Sequence, residues 1–242
     1  QHEDRVVVLE DDCLPSETFL PFCKEMLDLY EADPRVFAIS GDNFQQGNWR
    51  GEASYYFSNY FHCWGWSTWK DSWQEFDMSL SDWDELKQTK WLNKVHNSRI
   101  EALFWKCRID DVLANHANIW SLAFAYSMWK RGSYCILPNR NLVKNIGFDD
   151  RGTNASRPPA GTERVVLENL KFPLKHPSKI KRDQTADRFT FKHHFFMNKR
   201  IEKQMFTHSP HYRFHCRLRH YQKYLGRILH GFSAKFLFSD NK

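Results

Sequence analysis

Val6-Val7-Val8-Leu9-Glu10-Asp11-Asp12 decides the reading of this chain: four apolar residues of high strand propensity run straight into three acids. That is the pattern of a buried strand delivering carboxylates to its carboxyl end. Three acids so close cannot all stay ionised in a partly buried crevice without a cation, so the triplet points to a divalent metal. Oxygen ligands favour Mg or Mn, and such an ion keeps coordination positions open for phosphate oxygens. An acidic turn capping the next helix accounts for the triplet equally well when it is taken alone.

The surroundings tip the balance. After Cys13-Leu14-Pro15, Ser16 is a candidate N-cap for a helix with Phe19, Cys23, Met26, Leu27 and Tyr30 on one face, and the pattern stops at Asp33-Pro34. A second apolar run, Val36 to Ser40, then ends in Gly41-Asp42. Strand, helix and strand make one α/β unit, which sets the expected fold class. Ligands of open α/β sheets collect beyond the carboxyl ends of the strands, so Glu10, Asp11, Asp12 and Asp42 are expected in one crevice.

Further along, aromatic residues crowd the stretch from Trp49 to Trp73, including Trp64-Gly65-Trp66 and Trp69. Flat apolar rings suit the C–H faces of sugars, and the competing reading for any one ring is a core wedge. Gly65 between two tryptophans favours a shaped loop. Residues from Leu80 to Asn115 read as helical, as do Trp120 to Lys130, with Gly132 as a stop before a strand from Tyr134 to Leu137. Asn141 and Asn145 can donate and accept at once, as hydroxyl-rich ligands require, and turn capping beside Gly147 is their plainer role. Residues 149–161 read as a loop or lid in which Arg151 and Arg157 meet phosphate. His176 beside Pro177 reads as a structural residue or a nitrogen ligand.

Charge divides the 242 residues. Residues 1–170 carry 18 Lys/Arg and 25 Asp/Glu, whereas residues 171–242 carry 17 and 4 together with eight of the twelve histidines. A helical extension packed on its parent domain ranks first for this basic tail, contact with an anionic membrane surface second, and nucleic acid is set aside because no recognition module is present. Six cysteines at 13, 23, 63, 107, 135 and 216 show no C-x-x-C pair, so buried free thiols and a cytoplasmic setting, peripheral to the inner membrane at most, are expected. No apolar run reaches the ~18 residues that cross a bilayer.

The motifs VLEDDC (Val8–Cys13), ISGDNF (Ile39–Phe44), WGWSTW (Trp64–Trp69), NLVKNIGF (Asn141–Phe148) and FPLKHP (Phe172–Pro177) occur in this order. Together they resemble the bacterial GT-A-type nucleotide-diphospho-sugar transferases over about residues 5 to 190. The resemblance implies a GT-A-like domain over residues 1–190, lacking the strands that carry the nucleotide base, and a basic C-terminal extension over residues 191–242. It implies an enzyme that moves a sugar from a nucleotide-diphosphate sugar to the hydroxyl of a glycan or lipid-linked acceptor, with inversion. Asp12 and Asp11 would bind Mn or Mg, and Glu10, Asp11, Asp42 and Asn43 the donor. Trp64, Gly65, Trp66, Trp69, Asn141 and Asn145 would meet the acceptor.

One departure bears on catalysis. Where the family reads TWDYQW, with the Asp as natural base, this chain has Ile119-Trp120-Ser121-Leu122-Ala123-Phe124, so Ser121 occupies the base position. A serine hydroxyl is far too weak a base to act alone, and Asp111 is the nearest nominee to replace it. Asn118 and Asn154 likewise stand where an acid and a histidine are expected. A catalytically impaired carbohydrate-binding or scaffold relative is therefore the alternative reading, and a metal-dependent phosphohydrolase or nucleotidyltransferase the third.

Overall fold

The expected strand, helix and strand are present, but the two strands are not neighbours. β1 (Arg5–Val8), β2 (Cys13–Pro15), α1 (Phe19–Tyr30) and β3 (Val36–Ser40) follow one another, and β4 (Tyr55–Ser58), β5 (Trp66–Trp69), β6 (Tyr134–Pro138) and β7 (Val143–Asn145) complete the strands. β5 lies between β1 and β3, antiparallel to both, while β6 pairs parallel with β3 and antiparallel with the edge strand β4. The result is a mixed five-stranded sheet in the order β1-β5-β3-β6-β4, flanked by helices: an α/β fold. β2 and β7 form a separate two-stranded ladder with Cys13 opposite Asn145. This computed structural model describes residues 3–96, 98–148, 165–196 and 199–208. The expectations for Asp149, Asp150, Arg151, Asn154, Arg157, Cys216 and the tail beyond residue 208 lie outside the described residues.

α1 buries Phe19, Phe22, Cys23, Met26, Leu27 and Tyr30, a spacing of three and four that puts one stripe on the sheet beside Val36, Ile39, Tyr55, Phe57 and Ile136. Each such side chain contributes roughly 1.5–3 kcal/mol by leaving water. The N-cap is Thr18 rather than Ser16. Ser16 closes the preceding turn by accepting from the Phe19 amide at 3.1 Å, and the Thr18 hydroxyl is taken by Asn169 and by the Leu170 amide.

The stretch expected to be helical from Leu80 to Asn115 follows the short α2 (Lys70–Gln74) and is broken into α3 (Trp83–Leu86), α4 (Trp91–Val95) and α5 (Arg99–Ala114). The break before α5 has a local cause: Ser98 is extended, and its hydroxyl accepts from the Glu101 amide at 3.2 Å to start a new helix. α6 (Trp120–Arg131) ends where expected, on Gly132 in the left-handed region at φ 75°. Phe124 of α6 meets Phe37 of β3 at 5.0 Å and Trp66 of β5 at 5.0 Å, so α6 covers the sheet face opposite α1. Five of the described cysteines are free thiols: Cys23, Cys107 and Cys135 are buried, as expected, whereas Cys13 and Cys63 are half-buried.

α7 (Gln184–Thr190) runs into a π-helical turn, Phe191–Phe195, whose Phe191 packs on Phe104 of α5 at 5.3 Å. The first compact unit runs from residue 1 to residue 197. The second unit begins at Asn198, and α8 (Lys199–His208) is its described part. Among the described residues no helix is long and apolar enough to cross a membrane.

A buried ionic knot, invisible in the sequence pattern, ties α7 to β4. Asp187 is fully buried, accepts from the Ser58 hydroxyl at 2.5 Å and the Asn59 amide at 3.2 Å, and pairs with the Arg182 guanidinium. Burial pushes its carboxyl up to about 6 despite the opposing pull of Arg182. Removing only the cation leaves a buried acid uncompensated, so Arg182→Met is expected to cost about 3–5 kcal/mol in urea unfolding at neutral pH. A loss below ~1 kcal/mol would show the knot to be incidental.

In the same unit the buried His62 and the half-buried His194 have ring centroids 6.0 Å apart. His194 stacks on Phe44 at 3.8 Å, and one nitrogen of each imidazole lacks a hydrogen-bond partner. Burial holds both below the usual 6.5, His194 at about 4. Between those values the unfolded chain binds more protons than the folded one. The stability that the neutral pair contributes is therefore complete above pH ~6.5 and is lost as the pH falls toward ~4. His194→Phe is expected to flatten the fall in unfolding free energy over that interval, and an unchanged slope would remove His194 from the account.

Candidate functional site

The acidic triplet forms the turn that links β1 to β2, closed by the Cys13 amide donating to the Glu10 carbonyl at 3.0 Å. Folding sorts the three acids. Ligand atoms of Glu10, Asp12 and Cys13 lie within 4.8 Å of one another, all three residues half-buried, whereas Asp11 is exposed on the turn outside that group. The triplet lies in a turn rather than in a strand, and its geometry leaves the Asp11 side chain outside the group. Of the expected metal pair, Asp12 belongs to this group of Glu10, Asp12 and Cys13, and Asp11 does not. The two carboxylates suit a hard ion such as Mg or Mn, whereas the thiol favours a softer one such as Zn. Burial, then Asp12 and Asp11, raise the Glu10 carboxyl, and burial and Asp12 push the Cys13 thiol up to about 12.

The NLVKNIGF segment forms one wall. The β2–β7 ladder continues into the Ile146 amide, which donates to the Asp12 carbonyl at 2.8 Å, and Gly147 then lies flat against the Asp12 side chain. A Cβ there would sit 2.7 Å from the Asp12 Cβ and 2.4 Å from its Oδ2. The asparagines expected to meet ligand are engaged in holding loops. Asn145 Oδ1 accepts from the Gly147 amide at 2.8 Å and Asn141 Oδ1 from the Asn43 amide at 2.7 Å, while Asn43 Nδ2 donates to the Pro138 carbonyl. Their turn role is therefore what the geometry displays.

The tryptophan motif divides. Gly65 has φ 65°, as the shaped turn requires, and Trp64 lies half-buried with its ring 5.6 Å from Phe148 and 5.3 Å from Phe44. Trp66 and Trp69 are not in a surface loop. They lie in β5, only 3% and 6% exposed, and Trp69 Nε1 donates to the Leu27 carbonyl of α1. Both still line a groove of about 500 Å³ along β1, shared with Val8, Glu10, Lys70, Trp73 and Trp120. Glu10 thus belongs to both the acidic cluster and the aromatic groove.

Asp42, at the carboxyl end of β3, is 0% exposed and neither of its carboxyl oxygens has a hydrogen-bond partner. Burial raises it well above the usual carboxylate range. The backbone amides of Asp42 and Trp64 pull the other way. Burial, and then the charges of Asp42 and Glu10, drive the Cys63 thiol up.

The two base nominees part company. Ser121, in the first turn of α6, follows the groove residue Trp120, whereas Asp111 is held on α5 by Arg108 at 3.7 Å and by Asn115, which donates to its Oδ1 at 3.1 Å. Asp111 does not line the groove. His176 braces the fold, with Nδ1 2.9 Å from the Tyr55 hydroxyl and Nε2 3.3 Å from Glu25. Sequence reasoning missed Cys13 as a cluster member, although its place beside the triplet was a signal. It also missed Gly147 and Trp120, whose neighbours come from remote segments.

Compared with protein-family models, the chain matches none, and a comparison with curated proteins likewise finds no match. Gly147→Ala must displace Asp12, so it is expected to weaken Mn binding by ~10–100-fold, as loss of a ligand's support does, with the fold retained. Mn affinity equal to wild type in calorimetry would show that the wall does not position Asp12.

Proposed function

We propose that this chain is a metal-dependent glycosyltransferase domain of the GT-A type. It transfers a sugar, with inversion, from a nucleotide-diphosphate sugar to a hydroxyl of a carbohydrate or lipid-linked envelope acceptor. The observation that carries this reading is the double membership of Glu10, in the three-ligand cluster and in the tryptophan-lined groove. A ligand with charged phosphates at one end and rings at the other spans the two. Glu10 and Asp12 would hold Mn or Mg, with Cys13 beside them, and a bound ion would supply charge neutralisation for the leaving nucleoside diphosphate. Trp66 and Trp120 offer apolar faces that suit the C–H face of a pyranose. The position of the cluster beyond the carboxyl ends of β1 and β3 supports the same reading, because open α/β sheets bind ligands there.

A second reading, a catalytically impaired carbohydrate-binding relative, draws on the base position. Ser121 cannot deprotonate an acceptor alone, and Asp111 is engaged by Arg108 and Asn115 away from the groove. Calorimetric titration with UDP, GDP and CMP, with and without Mn, separates the two. Metal-dependent binding of at least one nucleotide, abolished by Asp12→Ala, is the expected outcome. Binding of none of them, with oligosaccharides still bound, would sink the transferase reading in favour of the second.

A further inference from the structure

We propose that the cleft at the amino end of β3 is a second ligand site, which takes a small organic phosphate and holds it more tightly when His176 is protonated. The acidic cluster lies beyond the carboxyl end of the same strand, and the glycosyltransferase reading makes no use of this cleft. The cleft has a volume of about 600 Å³ and lies between the end of α1, the residue before β3 and the segment around Pro177. Arg35, His176 and Lys179 supply its basic groups, and Tyr30 and Ser178 its hydroxyls. Leu29, Pro177 and Ile180 make an apolar wall. Asp33 takes Arg35 Nε at 2.9 Å and Nη2 at 2.6 Å, and neither bond uses Nη1. Lys179 is exposed, and among the described residues it is paired with no acid. Guanidinium, ammonium and hydroxyl donors beside an apolar wall match a phosphate that carries an apolar substituent.

Behind the cleft stands a chain of hydrogen-bonding groups drawn from three remote segments. Glu25 of α1 lies 3.3 Å from His176 Nε2, and His176 Nδ1 lies 2.9 Å from the Tyr55 hydroxyl of β4. That hydroxyl lies 2.7 Å from the hydroxyl of Tyr30, which lines the cleft. Tyr30 and Tyr55 are 8% and 1% exposed, so the inner half of the chain is shut off from water. Burial raises both phenols, so both keep their protons where an imidazole changes charge, between about pH 5 and 8. With a neutral imidazole, Nε2–H donates to Glu25. Nδ1 then accepts from Tyr55, Tyr55 accepts from Tyr30, and the cleft meets only the lone pairs of Tyr30. With imidazolium, Nδ1–H donates to the Tyr55 oxygen and Tyr55 donates to Tyr30. The Tyr30 proton is then released to an oxygen in the cleft. A phosphate gains a cation and a donor in the protonated state. Other charges around the imidazole are Arg35 with its partner Asp33 across the cleft, and Lys175 and Lys179 on its own segment, with Lys175 paired to Glu52.

A brace that only fastens the Pro177 segment to α1 and β4 predicts the same chain and no ligand. Calorimetry with phenyl phosphate at pH ~6, and with sulfate, whose charge stays constant, at pH ~6 and pH ~8, separates the two. Each is read on wild type, Lys179→Glu, Tyr30→Phe, His176→Gln and Lys171→Glu, a charge-matched control that does not line the cleft. Phenyl phosphate is expected to bind more tightly than sulfate, and Lys179→Glu and Tyr30→Phe each to weaken it about 10-fold, with Lys171→Glu within about twofold. Sulfate affinity is expected to be about 5-fold higher at pH ~6 than at pH ~8 in wild type and level in His176→Gln. Thermal unfolding accompanies each variant, and the exposed Lys179 keeps the test open if a change at Tyr30 disturbs the core. No binding of phenyl phosphate by wild type, or binding no tighter than that of sulfate, overturns the proposal. So does wild-type affinity in Lys179→Glu or in a folded Tyr30→Phe, an equal loss in Lys171→Glu, or a sulfate affinity that fails to rise as the pH falls. The transferase reading stands in each of these cases, because none of these residues belongs to the acidic cluster or to the groove along β1.

Discussion

The rest of the structure depends on the hydrogen bonds that meet at Gly41. Its amide donates to the Gly65 carbonyl at 2.7 Å, and its carbonyl accepts from the Leu142 amide at 2.7 Å, so the ends of three chain segments are fastened to one residue. The backbones come this close only because no side chain intervenes. A Cβ on Gly41 would lie 2.6 Å from both a Phe19 ring carbon and Val143 Cγ2, and one on Gly65 would meet the same valine carbon at 2.6 Å. α1, the β3 end, the tryptophan turn and β7 therefore share a single packing point.

From that point the site follows by short mechanical links. Val143 begins β7, β7 pairs with β2, and the ladder presses Gly147 onto Asp12. Gly65 in turn touches Leu9, the last apolar residue before the triplet. The acidic cluster is thus held from two sides by segments about 55 and 135 residues away along the chain. Glu10 and Asp12 can stand close together because both walls are rigid, at an electrostatic cost visible in the raised Glu10 and Cys13 groups. A bound cation would relieve that cost.

Polar groups elsewhere are arranged differently. Asp187 accepts from Ser58 and Asn59 as well as from Arg182, and Glu101 takes the Tyr60 hydroxyl and faces His96 at 3.4 Å. Those buried charges have partners and fix the covering of β4 and α5. Asp42 lies equally deep and has none.

Much of the architecture was legible in the chain itself. The apolar run ending in acids, the three-and-four spacing from Phe19 to Tyr30 and the glycine after α6 specify local structure, because backbone propensity, side-chain period and φ tolerance act over a few residues. Those signals are enough for an α/β unit and for free buried thiols. They could not say that β5 would enter between β1 and β3, since strand order is set by which faces pack best once the whole chain has collapsed. Nor could they sort Glu10 and Asp12 from Asp11, bring Cys13 to their side, or turn Trp66 and Trp69 into the sheet. Those outcomes depend on contacts with Gly147, Val143, Trp120 and Phe124, far along the chain, and only the tertiary structure brings such residues together.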